Sequence, residues 1–168
     1  ALNAPPQMRQ VDHTPNQPTV GEAVQISVKA TDPDGMASLT LRYQVVEPGA
    51  YISAYFAKTT AELLAKPNGP LTPNPAFEAT TNWTEVAMVL LGDDVYAATI
   101  PGQNNRTLVR YRIVAEDALA ESVRVPYLDD PSLNFAYYVY DGVPAYTATE
   151  QTVAPGGVPF THPVEVMN

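Results

Sequence analysis

From Thr107 to Asp117 apolar and charged residues take turns: Val109, Tyr111, Ile113 and Ala115 fall on one side of an extended chain, and Arg110, Arg112 and Glu116 on the other. A strand with one buried and one solvated face asks for that order, whereas a helix would scatter the same residues around its circumference. The pattern repeats in Val24, Ile26, Val28 and Ala30, in Leu39, Leu41, Tyr43 and Val45, and in Tyr96, Ala98 and Ile100. Several half-buried strands must bury their apolar faces against one another, which points to two antiparallel sheets packed face to face. Composition agrees: 17 prolines and 9 glycines against 4 phenylalanines and 1 tryptophan suit short strands and turns better than a helical bundle.

A length of 168 residues suffices for one domain with a core and is short for two domains plus linkers. Residues 1–20, rich in Pro, Gln and Asn, read as a linker with a candidate first strand from Met8 to His13. Glu22 to Thr31, the turn Asp32-Pro33-Asp34-Gly35, and Ser38 to Glu47 form a hairpin-like unit. Residues 50–81 then interrupt the rhythm with an insertion that is long for a sandwich connection. Inside it, Thr59 and Glu62 have capping-box spacing and predict a helix of about two turns over 59–66, followed by proline-punctuated loop to Thr81. Trp83 to Leu91 and Val95 to Ile100 make a second hairpin about Gly92-Asp93-Asp94, and the strand over 106–116 follows. A last strand is split by Pro126 to Ser132, with Asn134 to Asp141 as its stronger half, and residues 142–168 read as a linker or extended arm. The expected fold is all-β, an immunoglobulin-like sandwich of about seven strands over 21–141, carrying the long insertion and its short helix.

Charge and missing residue types exclude several functions. A formal net charge of −9, with scattered Lys and Arg, repels nucleic acid and anionic membrane surfaces. No cysteine is present, so disulfides, thiolate metal sites and cysteine nucleophiles are out. No apolar run reaches the roughly 18 residues of a membrane span, and residues 1–20 lack a signal-peptide pattern, so the chain beginning at Ala1 reads as a mature fragment or excised piece. The two histidines, His13 and His162, sit in linker-like ends away from any Ser or Asp constellation, which argues against a catalytic triad. Asp93, Asp94, Asp129 and Asp130 read as solvated turn residues rather than a glycosidase pair.

Several segments together carry a family resemblance: Asp32-Pro33-Asp34-Gly35, Tyr43 to Gly49, Trp83 to Met88, Asp94 to Gln103, Thr107 to Asp117, and Val125-Pro126-Tyr127-Leu128-Asp129-Asp130-Pro131 followed by Asn134-Phe135-Ala136-Tyr137. Over roughly residues 20–142 the chain resembles the immunoglobulin-like or fibronectin-type-III-like module of large secreted bacterial proteins, where it adjoins a spore-coat-protein-H-like (CotH) kinase domain or a lamin-tail domain. The resemblance implies an extracellular or cell-surface, non-catalytic spacer or interaction domain, a monomer whose partners are neighbouring domains of the same polypeptide and cell-surface polysaccharide or protein. It brings no catalytic residues. No kinase motif is present in this chain.

Two groups of residues are candidate sites. The loops bearing Asp32 and Asp34, and Glu116, Asp117 and Glu121, emerge from the same end of such a sandwich, and hard carboxylate oxygens are what calcium takes. Asp-Pro-Asp-Gly is equally a good turn and lacks the full spacing of a helix-loop-helix calcium site. Tyr51, Tyr55, Phe56 and Trp83, at the two ends of the insertion, could present flat apolar faces to a sugar ring and make the chain a carbohydrate-binding module; burial of Trp83 and Phe56 over the core is the competing role. An enzyme is the remaining alternative. Tyr111 is expected to act as a tyrosine corner, its hydroxyl returning to the backbone.

Alternation also makes predictions about the core: Tyr111 and Ile113 lie between the sheets, facing Ile26 and Val28 on one side and Leu41 or Tyr43 on the other. If the opposite face is open to water, an Arg112→Ala substitution costs within about 0.5 kcal/mol in a denaturant titration.

Overall fold

The computed structural model describes residues 2–142. The expected arm over 142–168 therefore lies outside the described residues except for Gly142. The strands are β1 (Gln7–Thr14), β2 (Val24–Thr31), β3 (Met36–Val46), β4 (Thr84–Ala87), β5 (Val89–Gly92), β6 (Val95–Ile100), β7 (Leu108–Asp117), β8 (Ser122–Val125) and β9 (Phe135–Tyr138). Two short helices, α1 (Thr60–Ala65) and α2 (Pro75–Glu78), lie in the insertion. One sheet has the order β1-β2-β6-β5, the other β4-β3-β7-β8 with β9 also on β7, and every pairing is antiparallel. The chain is an all-β sandwich, and its strand order is that of an immunoglobulin-like fold with β4 as an extra strand beside the second sheet.

The apolar sides of the two sheets make one core. Ile26 and Val28 of β2, Leu41 and Tyr43 of β3, and Tyr111 and Ile113 of β7 are buried in a single cluster, with Leu41 opposite Ile113 and Tyr43 opposite Tyr111. Alternation thus placed these side chains correctly.

It misled on how neighbours connect. The β2–β3 unit is not a hairpin: the two strands belong to different sheets and the Asp32–Gly35 turn arches between them. Their apolar faces can then bury each other, which two strands side by side in one sheet could not do. The strand expected over Trp83 to Leu91 likewise breaks in two, because the chain crosses between sheets at buried Met88, whose N–H donates to Leu39 O. The last strand is split as expected, and both halves, β8 and β9, pair with β7. These breaks raise the count to nine strands from the seven or so expected.

The candidate first strand over Met8 to His13 is an integral part of the sandwich rather than part of a linker. β1 pairs with β2 along its length, interrupted between Arg9 and Asp12, where Gln10 has φ 54°. The ring of His13 lies against Tyr111 and Tyr137 at this edge. His13 Nε2 lies 3.1 Å from Asn16 O, a carbonyl that can only accept, so Nε2 donates there, and Nδ1 lies 3.1 Å from the Tyr111 hydroxyl. Tyr111 is therefore not a tyrosine corner, since its hydroxyl goes to a side chain. Burial pushes its ionisation above the ordinary range, with Asp12 and Tyr137 adding to the effect.

Both halves of the predicted capping box are present at α1: Glu62 N–H donates to Thr59 Oγ1 at 3.3 Å, and Thr59 N–H to Glu62 Oε2 at 2.7 Å. The two-residue turn before β6 places Asp93 and Asp94 at φ 51° and 64°, which suits a tight hairpin. At Gly102 the backbone passes against Gly21, whose N–H donates to Gln103 O at 3.0 Å, and a Cβ there would overlap the Gly21 carbonyl.

Ile113→Ala is expected to cost about 2–5 kcal/mol through lost burial and a residual cavity. Gly102→Ala should cost about 1–3 kcal/mol because two backbones would have to separate. Denaturant titration measures both; a neutral Gly102→Ala would show that the two loops part freely.

Candidate functional site

The outer face of the second sheet, expected to be wet, is where the insertion packs. Arg112 is 0 % exposed. Its guanidinium meets the Glu78 carboxylate as a two-pronged fork, Nη1 to Oε2 at 2.8 Å and Nη2 to Oε1 at 2.9 Å, while Nε donates to Leu133 O at 3.0 Å. Trp83 lies 4.6 Å from the guanidinium carbon by its ring centroid and Phe77 5.5 Å. The two rings meet edge to face at 5.9 Å, and the indole N–H donates to Phe77 O.

Local sequence builds this cover. Asn74 caps α2 by accepting from Ala76 N–H, and Pro75 suits the first helical position, so the short helix sets Phe77 inward and Glu78 over Arg112. Arg110 continues the stack, its guanidinium carbon 4.9 Å from the Phe77 centroid and 4.7 Å from that of Tyr51. Its Nη1 donates to Gln44 Oε1 and Ile52 O. Arg42 sits opposite Arg112 in the register, 5.7 Å from Trp83, and pairs with Glu85 at 3.3 Å. Like charges directly opposite across strands repel, and here aromatic faces and two carboxylates separate them. Expecting Arg110 and Arg112 to be solvated was wrong because alternation defines two faces without saying what covers the second.

The expected aromatic platform is divided by this packing. Trp83 is 7 % exposed and its faces are taken by arginines, and Tyr51 stacks on Arg110. Tyr55 bridges Pro73, while Phe56, 51 % exposed, lines a separate hollow with Lys58, Glu62 and Pro70. The four aromatics form no common surface.

The acidic loops do converge. Carboxylate oxygens of Asp32, Asp34 and Asp117 lie within 4.8 Å of one another, and Ala118 N–H donates to Gly35 O to hold the two loops together. Asp117 is buried; burial alone would raise its ionisation, but hydrogen bonds from Glu121 N–H, Asn3 Nδ2 and Leu119 N–H outweigh that and hold it below the ordinary carboxylate range. Glu121 contributes its backbone, and the exposed Glu116 side chain is not among the converging carboxylates. Asn3, absent from the expected set, brings a side-chain oxygen. That Oδ1 and Asp32 Oδ2 are buried without a hydrogen-bond donor. Linear distance hid Asn3, since it meets Asp117 only through the placement of β1.

The search against family models finds no match, and neither does the search of curated proteins.

Breaking a buried ion pair costs about 3–5 kcal/mol; Glu78 is half exposed and can hydrate, so Arg112→Ala is expected near the lower end, about 3 kcal/mol, and Arg112→Met less. The hydrogen bonds from Arg112 hold the Glu78 carboxyl below its usual range against a smaller opposing effect of burial. A depressed folded value stabilises above the unfolded value of about 4.3 and is lost as pH falls through the folded one. The stability difference between wild type and Glu78→Gln should therefore be flat near neutrality and shrink in acid. A difference unchanged down to pH 2.5 in urea titrations would mean the fork contributes nothing through charge.

Proposed function

We propose that this chain is a non-catalytic, monomeric spacer and interaction module of a larger secreted bacterial protein, of the immunoglobulin-like kind that adjoins CotH kinase or lamin-tail domains. The observation that carries the reading is where the chain is led in and out. Asn3 is tied to Asp117 at the end of the sandwich formed by the β2–β3 and β7–β8 turns, and Asp141 is tied to Val20 N–H and Asn105 at the opposite end. Neighbouring domains attached there would follow one another in line, and load between them would pass along the strands. The insertion supports a structural role as well, because Phe77, Glu78 and Trp83 are engaged with the module's own sheet.

Calcium at the entry junction belongs to the same proposal. A cation with oxygens at about 2.3–2.6 Å would bring carboxylate oxygens to separations of this order, and turning the Asn3 amide, whose Nδ2 donates to Asp117 Oδ2, would offer its oxygen as a fourth protein donor. Four donors fall short of the six to eight calcium takes, so water completes the shell and affinity is weak.

A carbohydrate-binding role has one specific observation in its favour, the exposed Phe56 ring in its hollow.

Single-molecule pulling between the two ends should give one all-or-none unfolding event spanning β1 to β9. Release in small steps at low force would remove the spacer reading. Calorimetry with calcium chloride should show a dissociation constant in the millimolar range that Asp34→Ala abolishes; no heat and an unchanged melting temperature would remove the metal. Retention on insoluble polysaccharide that Phe56→Ala eliminates would move the assignment to carbohydrate binding.

A further inference from the structure

Among the described residues Arg124 is the arginine of this face with neither a hydrogen-bond acceptor nor an ion-pair partner; Arg42 Nε also lacks a hydrogen bond but lies 3.3 Å from Glu85. Four of the nine Lys and Arg residues, Arg42, Arg110, Arg112 and Arg124, stand on the outer side of the second sheet. Glu85 and Glu78 pair with Arg42 and Arg112, and Gln44 and Ile52 O accept from Arg110. Among the described residues nothing accepts from Arg124, and its Nε is shut off from water. Desolvation, then the nearby Arg112, pulls its ionisation below the usual guanidinium range, with Glu78 opposing; a guanidinium nonetheless stays charged. A buried donor without a partner costs about 1–3 kcal/mol, more when charged, so an incoming acceptor would recover that cost.

Arg124 borders an open hollow of about 380 Å³ whose walls are Val114, Val123, Tyr127 and Leu128, with Ser122 and Asp129 also lining it. Leu128 is 84 % exposed. The hollow lies beside β8, which ends its sheet, so among the described residues no strand lies against one side of Ser122–Val125. An unpaired edge is a template for a further strand. The other sheet's edge at β5 also exposes Val89, Leu90 and Leu91, but that strand carries no charged residue to select an occupant.

We propose that β8 is a docking edge for an extended acidic peptide segment of a partner protein, which adds a strand beside Ser122–Val125, seats an apolar side chain against Val123 and Leu128, and places an Asp or Glu carboxylate on Arg124. The inference rests on the interaction-module reading and names its partner. One acidic group fits better than a polyanion, because Asp129 lines the hollow and the chain is strongly negative overall. Besides Arg124, sugar hydroxyls would find Ser122, Asp129 and the hydroxyl of Tyr127, which already donates to Met8 O.

The test is titration of isotope-labelled protein with the blocked peptide acetyl-Thr-Val-Glu-Val-Thr-amide, followed by amide chemical shifts. Shifts should concentrate on 122–128, and either Arg124→Gln or exchange of the peptide's Glu for Gln should weaken binding at least tenfold. Both changes together should weaken it no further, since each removes the same pair. Among the described residues Arg124 has no partner to lose, so Arg124→Gln should not lower the melting temperature; Leu128→Asp, at an exposed position, provides a second folded variant that should also bind more weakly. No shifts at peptide concentrations of several millimolar, or binding indifferent to Arg124→Gln, would overturn the proposal. So would equal binding of N-acetyl-leucine or of a uronic-acid oligosaccharide, which cannot add a strand. The pulling experiment needs no peptide, so a module that unfolds as one unit yet ignores the peptide loses this inference alone.

Discussion

The fork between Arg112 and Glu78 ties the insertion to the sandwich, and much else is arranged around it. A guanidinium enclosed in a fold is costly unless its charge and its N–H groups are met. Here one carboxylate and one carbonyl meet three of those groups, and two aromatic rings lie beside the plane. Meeting them requires Glu78, Trp83 and Leu133 to arrive together, from α2, the end of the insertion and the segment before β9. One side chain therefore fixes the position of two connections, β3–β4 and β8–β9.

The consequence for β7 is that it is buried on both faces. Its inner side chains fill the core between the sheets, while Arg110 and Arg112 fill a second layer beneath the insertion. A central strand with apolar residues on both sides would satisfy the same packing with no need for partners, but it would not select what lies over it. The arginines do select: planar donors take carboxylate or carbonyl groups at defined directions and rings over their faces. Glu78, Phe77 and Tyr51 of the insertion supply these, while Phe56 and Glu62 of the same insertion line a separate hollow.

Local charge runs opposite to the chain's overall charge. The protein is acidic, yet the outer side of one sheet gathers nearly half of its cations, and the turns at one end gather three carboxylates. Net charge governs long-range behaviour such as repulsion of polyanions, whereas recognition at a few ångströms is governed by which groups remain unpaired. By that measure Arg124 and the Asp32–Asn3 oxygens carry more functional information than the formal total of −9.

Local patterns sufficed for most strands and the inner core through alternation, for the capping box of α1 through the Thr59–Glu62 spacing, and for the turn that holds Asp32 and Asp34 through its turn residues, because each is decided by residues a few positions apart. They could not say that β2 and β3 lie in different sheets, since a strand's pattern is the same whichever sheet it joins. Nor could they say that Arg112 is buried, that Asn3 reaches Asp117, or that His13 meets Tyr111. Those outcomes depend on segments from 34 to 114 residues apart finding each other, Glu78 with Arg112 and Asn3 with Asp117. A polar residue on the second face of a strand is written identically whether water or another part of the chain will cover it, and only the folded chain decides which.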